Sequence, residues 1–222
     1  MTQQPFEEEV IEKVYVHPAL KWPANFFSYI FHPVFVPIYA IAFFVYLHPS
    51  YFSGFSASGK LQTVIISIIN LVAFPLLSVL LLKALGFIDS IFLRTRKDRI
   101  VPYMACGIFF FWAYTVFKKQ GMYPPIMANF ILGVFLAASP GLIANIYFKV
   151  SMHAMGVGGL LGVFLVIAKQ NSMLMTWPLA LAIIITGVVC TARLVLNTHT
   201  QKDIYVGLLL GIVSQIVAAA VE

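Results

Sequence analysis

Between Ala192 and Gly207 the chain reads ARLVLNTHTQKDIYVG, a short polar island between two long apolar runs. It holds Arg193, His199 and Asp203. With a helix from Ile204 onward, His199 and Asp203 fall one turn apart, at i and i+4 on one face. An ionised Asp there accepts a hydrogen bond from one imidazole nitrogen and leaves the other to act as base, nucleophile or ligand. Arg193 adds a planar fork suited to phosphate oxygens. An Arg, a His and an Asp are costly to place at the mouth of a membrane helix, which makes them a functional-site candidate.

Two more islands carry polar chemistry. One is the basic stretch LRTRKDRIVP, with Arg94, Arg96, Lys97 and Arg99; the other is KVSMH, from Lys149 to His153. Alone, the first is a juxtamembrane basic patch, His153 an interfacial hydrogen-bonded residue, and His199 with Asp203 a helix-capping pair or part of a metal site. His17, His32 and His48 each precede Pro near a membrane boundary. They read as interfacial residues with no assigned role.

The elements that must position these islands are membrane helices. The chain is 61% hydrophobic and 10% charged, with a mean hydropathy of +0.93, more apolar surface than a soluble domain can hide. The expected fold class is all-α, a polytopic transmembrane bundle of six or seven spans. An interfacial arm over residues 1–24, with Tyr15 and Trp22 at headgroup depth, precedes one membrane domain over 25–222. The apolar runs cover about 25–47 (bent at Pro33 and Pro37), 61–86, 101–117, 125–147, 154–168, 173–191 and 204–221. Two spans separate the first island from the second, and two more the second from the third. An even number of crossings returns the chain to the same face, so all three islands are expected together.

Net charge is +6, with Lys and Arg beside membrane segments, which favours anionic headgroups or phosphate over duplex DNA. Cys106 and Cys190 lie inside apolar runs and imply no disulfide framework. The acidic start, Glu7 to Glu9, does not read as a cleaved signal peptide. The expected location is multi-pass in the bacterial inner (plasma) membrane. The Lys/Arg tally favours a cytoplasmic site, but removing the residues that phosphate could require levels it, so charge alone chooses no side.

Order and spacing together resemble the type 2 phosphatidic acid phosphatase superfamily, whose signatures are K-x6-R-P, P-S-G-H and S-R-x5-H-x3-D. The third is matched by Arg193, His199 and Asp203, with Ala192 in the Ser position and Gly207 continuing D-x3-G. The second keeps Ser151 and His153, with Val150 and Met152 for Pro and Gly. In the first, aligning Pro102 puts Arg94 at the Lys position and Val101 at the Arg position, where Arg99 or Arg96 could substitute.

The resemblance implies a lipid phosphate phosphatase. His199 would attack phosphorus and form a phosphohistidine, oriented by Asp203, and His153 would protonate the leaving oxygen. Arg193, Ser151 and Arg94 would hold the phosphoryl oxygens, with Arg96 and Arg99 as further members. The implied partners are the lipid bilayer and a lipid phosphate of the phosphatidic acid, phosphatidylglycerol phosphate, polyprenyl (di)phosphate or lipid A class; no nucleic acid is implied.

The residues also make sense without the family. Phosphoryl transfer needs a placed nucleophile and neutralised equatorial oxygens, and guanidinium groups can supply the second. With one carboxylate in the last motif, no metal and no cofactor are expected. Two rivals stand beside this reading. One is a catalytically silent lipid-phosphate binder on the same fold. The other is a transporter, which would more often place polar groups at the midplane of paired half-repeats.

Overall fold

Apolar runs of this length satisfy their backbone polar groups internally when they coil into helices. The computed structural model describes residues 15–93, 95–170 and 174–221, and every regular element among them is helical. In chain order these are α1 (Pro18–Ile30), α2 (Val36–Ala42), α3 (Ala57–Ile68), α4 (Phe74–Ala84), α5 (Arg96–Lys119), α6 (Pro125–Tyr147), α7 (Met152–Gln170), α8 (Thr176–Val195) and α9 (Gln201–Val221). A π-helical turn, Phe43–Leu47, extends α2, and another, Ile69–Ala73, joins α3 to α4. The protein is a polytopic helical bundle. Among the described residues six helices are long and apolar enough to cross a membrane: Ala57–Ala84 and α5 to α9.

The first expected run, 25–47, is not one bent span. Pro33 and Pro37 lack N–H donors, and the chain opens into a turn between Ile30 and Val36. The Tyr39 hydroxyl clamps that turn by donating to the Ile30 carbonyl at 2.7 Å. Beyond the turn, Val36–Leu47 is apolar but too short to span. Tyr15 and Trp22, upstream, are both exposed.

Proline also explains the π turn at Ile69–Ala73. Pro75 cannot donate to the Leu71 carbonyl and its ring crowds that oxygen; a widened turn relieves the clash. Asn70 donates its amide to the Ile66 carbonyl at 2.8 Å inside the widened segment.

α5 starts earlier than the apolar pattern suggests, because the basic island is its first turn. Thr95 caps it, the hydroxyl accepting from the Asp98 N–H at 3.1 Å. α7 and α9 pack closely along a seam of glycines. A Cβ on Gly211 would overlap the Met155 carbonyl, one on Gly158 the Leu208 carbonyl, and one on Gly207 would stand 2.6 Å from the Ser151 carbonyl. Only hydrogen at these positions lets two backbones approach so far. The outer faces of the spans carry exposed Leu, Ile and Phe, including Leu80, Phe111, Ile184 and Leu209, as a lipid-facing surface requires.

Candidate active site

α5 and α6 form one antiparallel pair and α7 and α8 another, so the start of α5, the α6–α7 loop and the α8–α9 loop meet at one end of the bundle. The parity expectation holds in contacts. Arg99 on α5 donates from Nη1 to the Val150 carbonyl at 2.8 Å and from Nε to the Leu93 carbonyl at 2.9 Å. Ser151 donates its N–H to the Asp203 carbonyl at 3.1 Å, and His199 Nδ1 lies 3.1 Å from the Lys149 carbonyl. Three consecutive residues of the second island, Lys149, Val150 and Ser151, thus offer main-chain groups to the other two islands.

His199 lies just ahead of α9, outside the helix, and is 7% exposed. The Lys149 carbonyl can only accept, so Nδ1 carries the proton and the Nε2 lone pair remains for chemistry. Asp203 Oδ2 lies behind, 3.7 Å from Nδ1. That oxygen also accepts from the Thr200 N–H at 2.9 Å while the Thr200 hydroxyl accepts from the Asp203 N–H at 3.2 Å, a reciprocal box that caps α9. Asp203 therefore serves the helix start and the imidazole together, and the nearer partner of His199 Nδ1 is main chain. Burial holds the His199 pKa below the ordinary 6.5, with Arg99 and Arg193 pushing the same way and Asp203 opposing. The ring is neutral at pH 7, as a nucleophile must be.

Arg193 lies in the last turn of α8 and is 8% exposed. Nε and Nη2 donate to the Thr198 hydroxyl at 3.2 and 2.9 Å, and Nη1 lies 3.4 Å from His153 Nε2. Asn197, at φ +50, makes the left-handed turn after α8 that swings Thr198 and His199 back over it. Among the described residues no carboxylate stands within ion-pair distance of Arg193. Burying such a charge is expensive unless an anion joins it.

His153, in the first turn of α7, puts Nε2 3.2 Å from the Ser28 carbonyl on α1. One nitrogen cannot donate to Ser28 and accept from Arg193 at once, so its proton sets which contact it makes. Ser151 is fully buried and caps α7, its hydroxyl accepting from the Ala154 N–H at 3.3 Å.

Arg99, His153, Arg193, Thr198 and His199 line the polar end of a cavity of about 750 Å³, while Ser151 and Asp203 are buried behind it. From there the cavity descends between apolar walls that include Leu71, Cys106, Phe110 and Phe130, as far as Gln215. Arg99 to Phe110 along α5 corresponds to a depth of about 16 Å.

Not every candidate joins the cluster. Arg96 turns to the end of α6, where Nη1 donates to the carbonyls of Ile146 and Tyr147 at 3.1 and 2.8 Å, and Asn145 returns a bond to the Arg96 carbonyl at 2.8 Å. Val101 is 41% exposed on the lipid side while Arg99, two residues earlier on α5, is buried toward the cavity. Of the two substitutes for the missing motif Arg, Arg99 is the one at the site. Arg94 lies outside the described residues. Thr198 is the site residue that the motifs miss; a hydroxyl five residues beyond Arg193 is its one signal in sequence.

Residues 144–221 match the family model of the PAP2 superfamily. That is the superfamily the motifs resemble. The match covers less than half of the chain, from the last turn of α6 through α9, and so includes Ser151, His153, Arg193, His199 and Asp203 but neither α5 nor the N-terminal helices. Comparison with curated proteins yields no match, and neither does comparison with solved structures. PAP2 proteins are generally phosphatases acting on phosphate esters, and the six apolar helices are those of a multi-pass membrane protein. The PAP2 pattern also gives the second island its context. Its Pro and Gly positions hold Val150 and Met152, in a loop that the other islands contact through main chain. Val150 donates its N–H to the Phe148 carbonyl at 3.0 Å, a bond that Pro could not make.

Proposed function

We propose that the protein hydrolyses a lipid phosphate, a phosphomonoester or diphosphate held at headgroup depth, through a phosphohistidine on His199. The observation that carries this is Arg193. A buried guanidinium without a carboxylate partner among the described residues shares a cavity with two imidazoles, one of which has its Nε2 lone pair available. Arg193 and Arg99 would neutralise the equatorial phosphoryl oxygens, the work that a metal does elsewhere. The first turn of α7, capped by Ser151, would add its N-terminal dipole.

In the first step His199 Nε2 forms a bond to phosphorus as the ester P–O bond breaks, and the leaving oxygen takes a proton from protonated His153 Nε2. The Ser28 carbonyl, 3.2 Å away, accepts from that nitrogen when it carries a proton. In the second step water attacks phosphorus, His153 takes its proton and the P–N bond breaks, releasing inorganic phosphate. The apolar cavity beneath the polar end supports a substrate with a hydrocarbon chain. At about 30 Å³ per water-sized group it holds on the order of 25 such groups. The members of this class are phosphatidic acid, phosphatidylglycerol phosphate, polyprenyl (di)phosphates and phosphorylated lipid A.

The test is phosphate release from a panel of lipid phosphates in detergent with EDTA, wild type beside His199→Ala. Release by wild type alone is expected. Release by both removes His199 as nucleophile, and release by neither, in folded protein, leaves a lipid-phosphate binder without turnover.

A further inference from the structure

His32 lies outside the PAP2 match, in the turn between α1 and α2, yet it lines the same cavity as His153, Arg193 and His199. Its position obeys a local rule. In each His-Pro pair of the chain, Pro has no N–H, so the first donor beyond the imidazole is that of the next residue. His17 Nδ1 accepts from Ala19 at 3.3 Å, His32 Nδ1 from Val34 at 3.4 Å, and His48 Nδ1 from Ser50 at 3.3 Å. An imidazole that accepts at Nδ1 carries its proton at Nε2.

For His32 this has a directional consequence. One edge of the ring is tied to its own turn, and the ring meets His153 edge-to-face, with centroids 5.4 Å apart. Among the described residues Nε2 has no hydrogen-bond partner. Burial and the nearby Arg193 both hold the ring below its ordinary pKa, so it stays neutral and keeps a lone N–H to give. The groups that face it are Arg193 on α8 and His153 on α7.

We propose that His32 is a further phosphate ligand, donating its Nε2–H to a non-bridging phosphoryl oxygen of the ester in the cavity. The inference rests on the phosphate-transfer reading above and adds to it an N-terminal residue that the motif pattern does not contain. The ligand class is a phosphate monoester or free phosphate, since the donor addresses the phosphoryl oxygens and not the lipid chain.

The experiment is binding of inorganic phosphate to the full chain in detergent, read from the dependence of the unfolding midpoint on phosphate concentration. It compares wild type with His32→Asn and His32→Phe. Asn keeps a side-chain acceptor for the Val34 N–H but is too short to present a donor to the cavity. Phe keeps the ring packing and removes both nitrogens. The expected result is that both variants bind phosphate about tenfold more weakly, the loss of one hydrogen bond to a charged group. A folded variant of either kind that binds as tightly as wild type overturns the inference. If wild type itself takes no phosphate, it is the phosphate-transfer reading that fails, whatever the variants do.

Discussion

The Thr198 hydroxyl sits in the fork of Arg193, 3.2 Å from Nε and 2.9 Å from Nη2, and donates back to the Arg193 carbonyl at 3.2 Å. One hydroxyl thereby fixes the orientation of the buried guanidinium. Thr198→Val keeps the volume and removes the acceptor for both N–H groups. We expect kcat/KM for a lipid phosphate to fall by about 10- to 100-fold, with recovery in Thr198→Ser. Arg193→Lys should lose at least as much, because an ammonium cannot bond Thr198 twice while facing the cavity. Wild-type kinetics in Thr198→Val would contradict the bracing.

The depressed His199 pKa fixes the sign of one pH effect. In the proposed mechanism protonation of His199 blocks its attack, and its pKa lies below 6.5, so the acid limb of kcat/KM should fall below that value. Asp203 is the group that raises this pKa, so Asp203→Asn should move the limb further to acid while lowering the rate. A limb that moves toward neutral pH would be the wrong sign. The same shift acts on folding: as pH falls through 6.5 the unfolded chain takes up the proton before the folded one, and stability declines.

Arg96 offers a separation of stability from binding. Its guanidinium closes the end of α6 through the carbonyls of Ile146 and Tyr147. Arg96→Ala should lower the unfolding midpoint in detergent by about 4–10 °C, the equivalent of a lost charged cap. Phosphate affinity of the folded variant should change by less than about twofold. A tenfold loss of affinity at unchanged midpoint would return Arg96 to the phosphate site.

The glycine seam can be tested with an internal control. Gly211→Ala drives a methyl group into the Met155 carbonyl, whereas a Cβ on Gly187 of α8 meets nothing within 4 Å. Overpacking of this kind costs about 1–3 kcal/mol. Thermal unfolding should register the first substitution and not the second. Activity should move with stability, because the seam holds Ser151 against Asp203.

Much of this architecture is legible as pattern. Apolar runs mark the helices, and an even count of crossings brings Arg99, His153 and His199 to one end by arithmetic alone. Other features are not legible, for different reasons. The first run looks long enough to span because hydropathy does not register that Pro33 and Pro37 interrupt its hydrogen bonds. Arg96 and Arg99 are near neighbours of one chemical type, and only their partners some 50 residues away, Ile146 and Val150, tell a helix cap from a cavity wall. Asp203 carries an orienting role on spacing alone, while the capping box with Thr200 emerges only once α9 is seen to begin at Gln201. In sequence His32 is one of three similar His-Pro pairs. Which of them faces a cavity is a tertiary fact.

The Ser28 carbonyl that meets His153 comes from 125 residues upstream. At ribosomal rates of about 5–20 residues per second, roughly 6–25 s separate the synthesis of the two. Through that interval α1 has no partner on α7 or α8, and the part of the cluster drawn from Arg193 and His199 has yet to be made. The site is therefore an end point of biogenesis. The first described helix must wait for one of the last, and a chain halted at the end of α8 would have Ser28 and His153 but not His199.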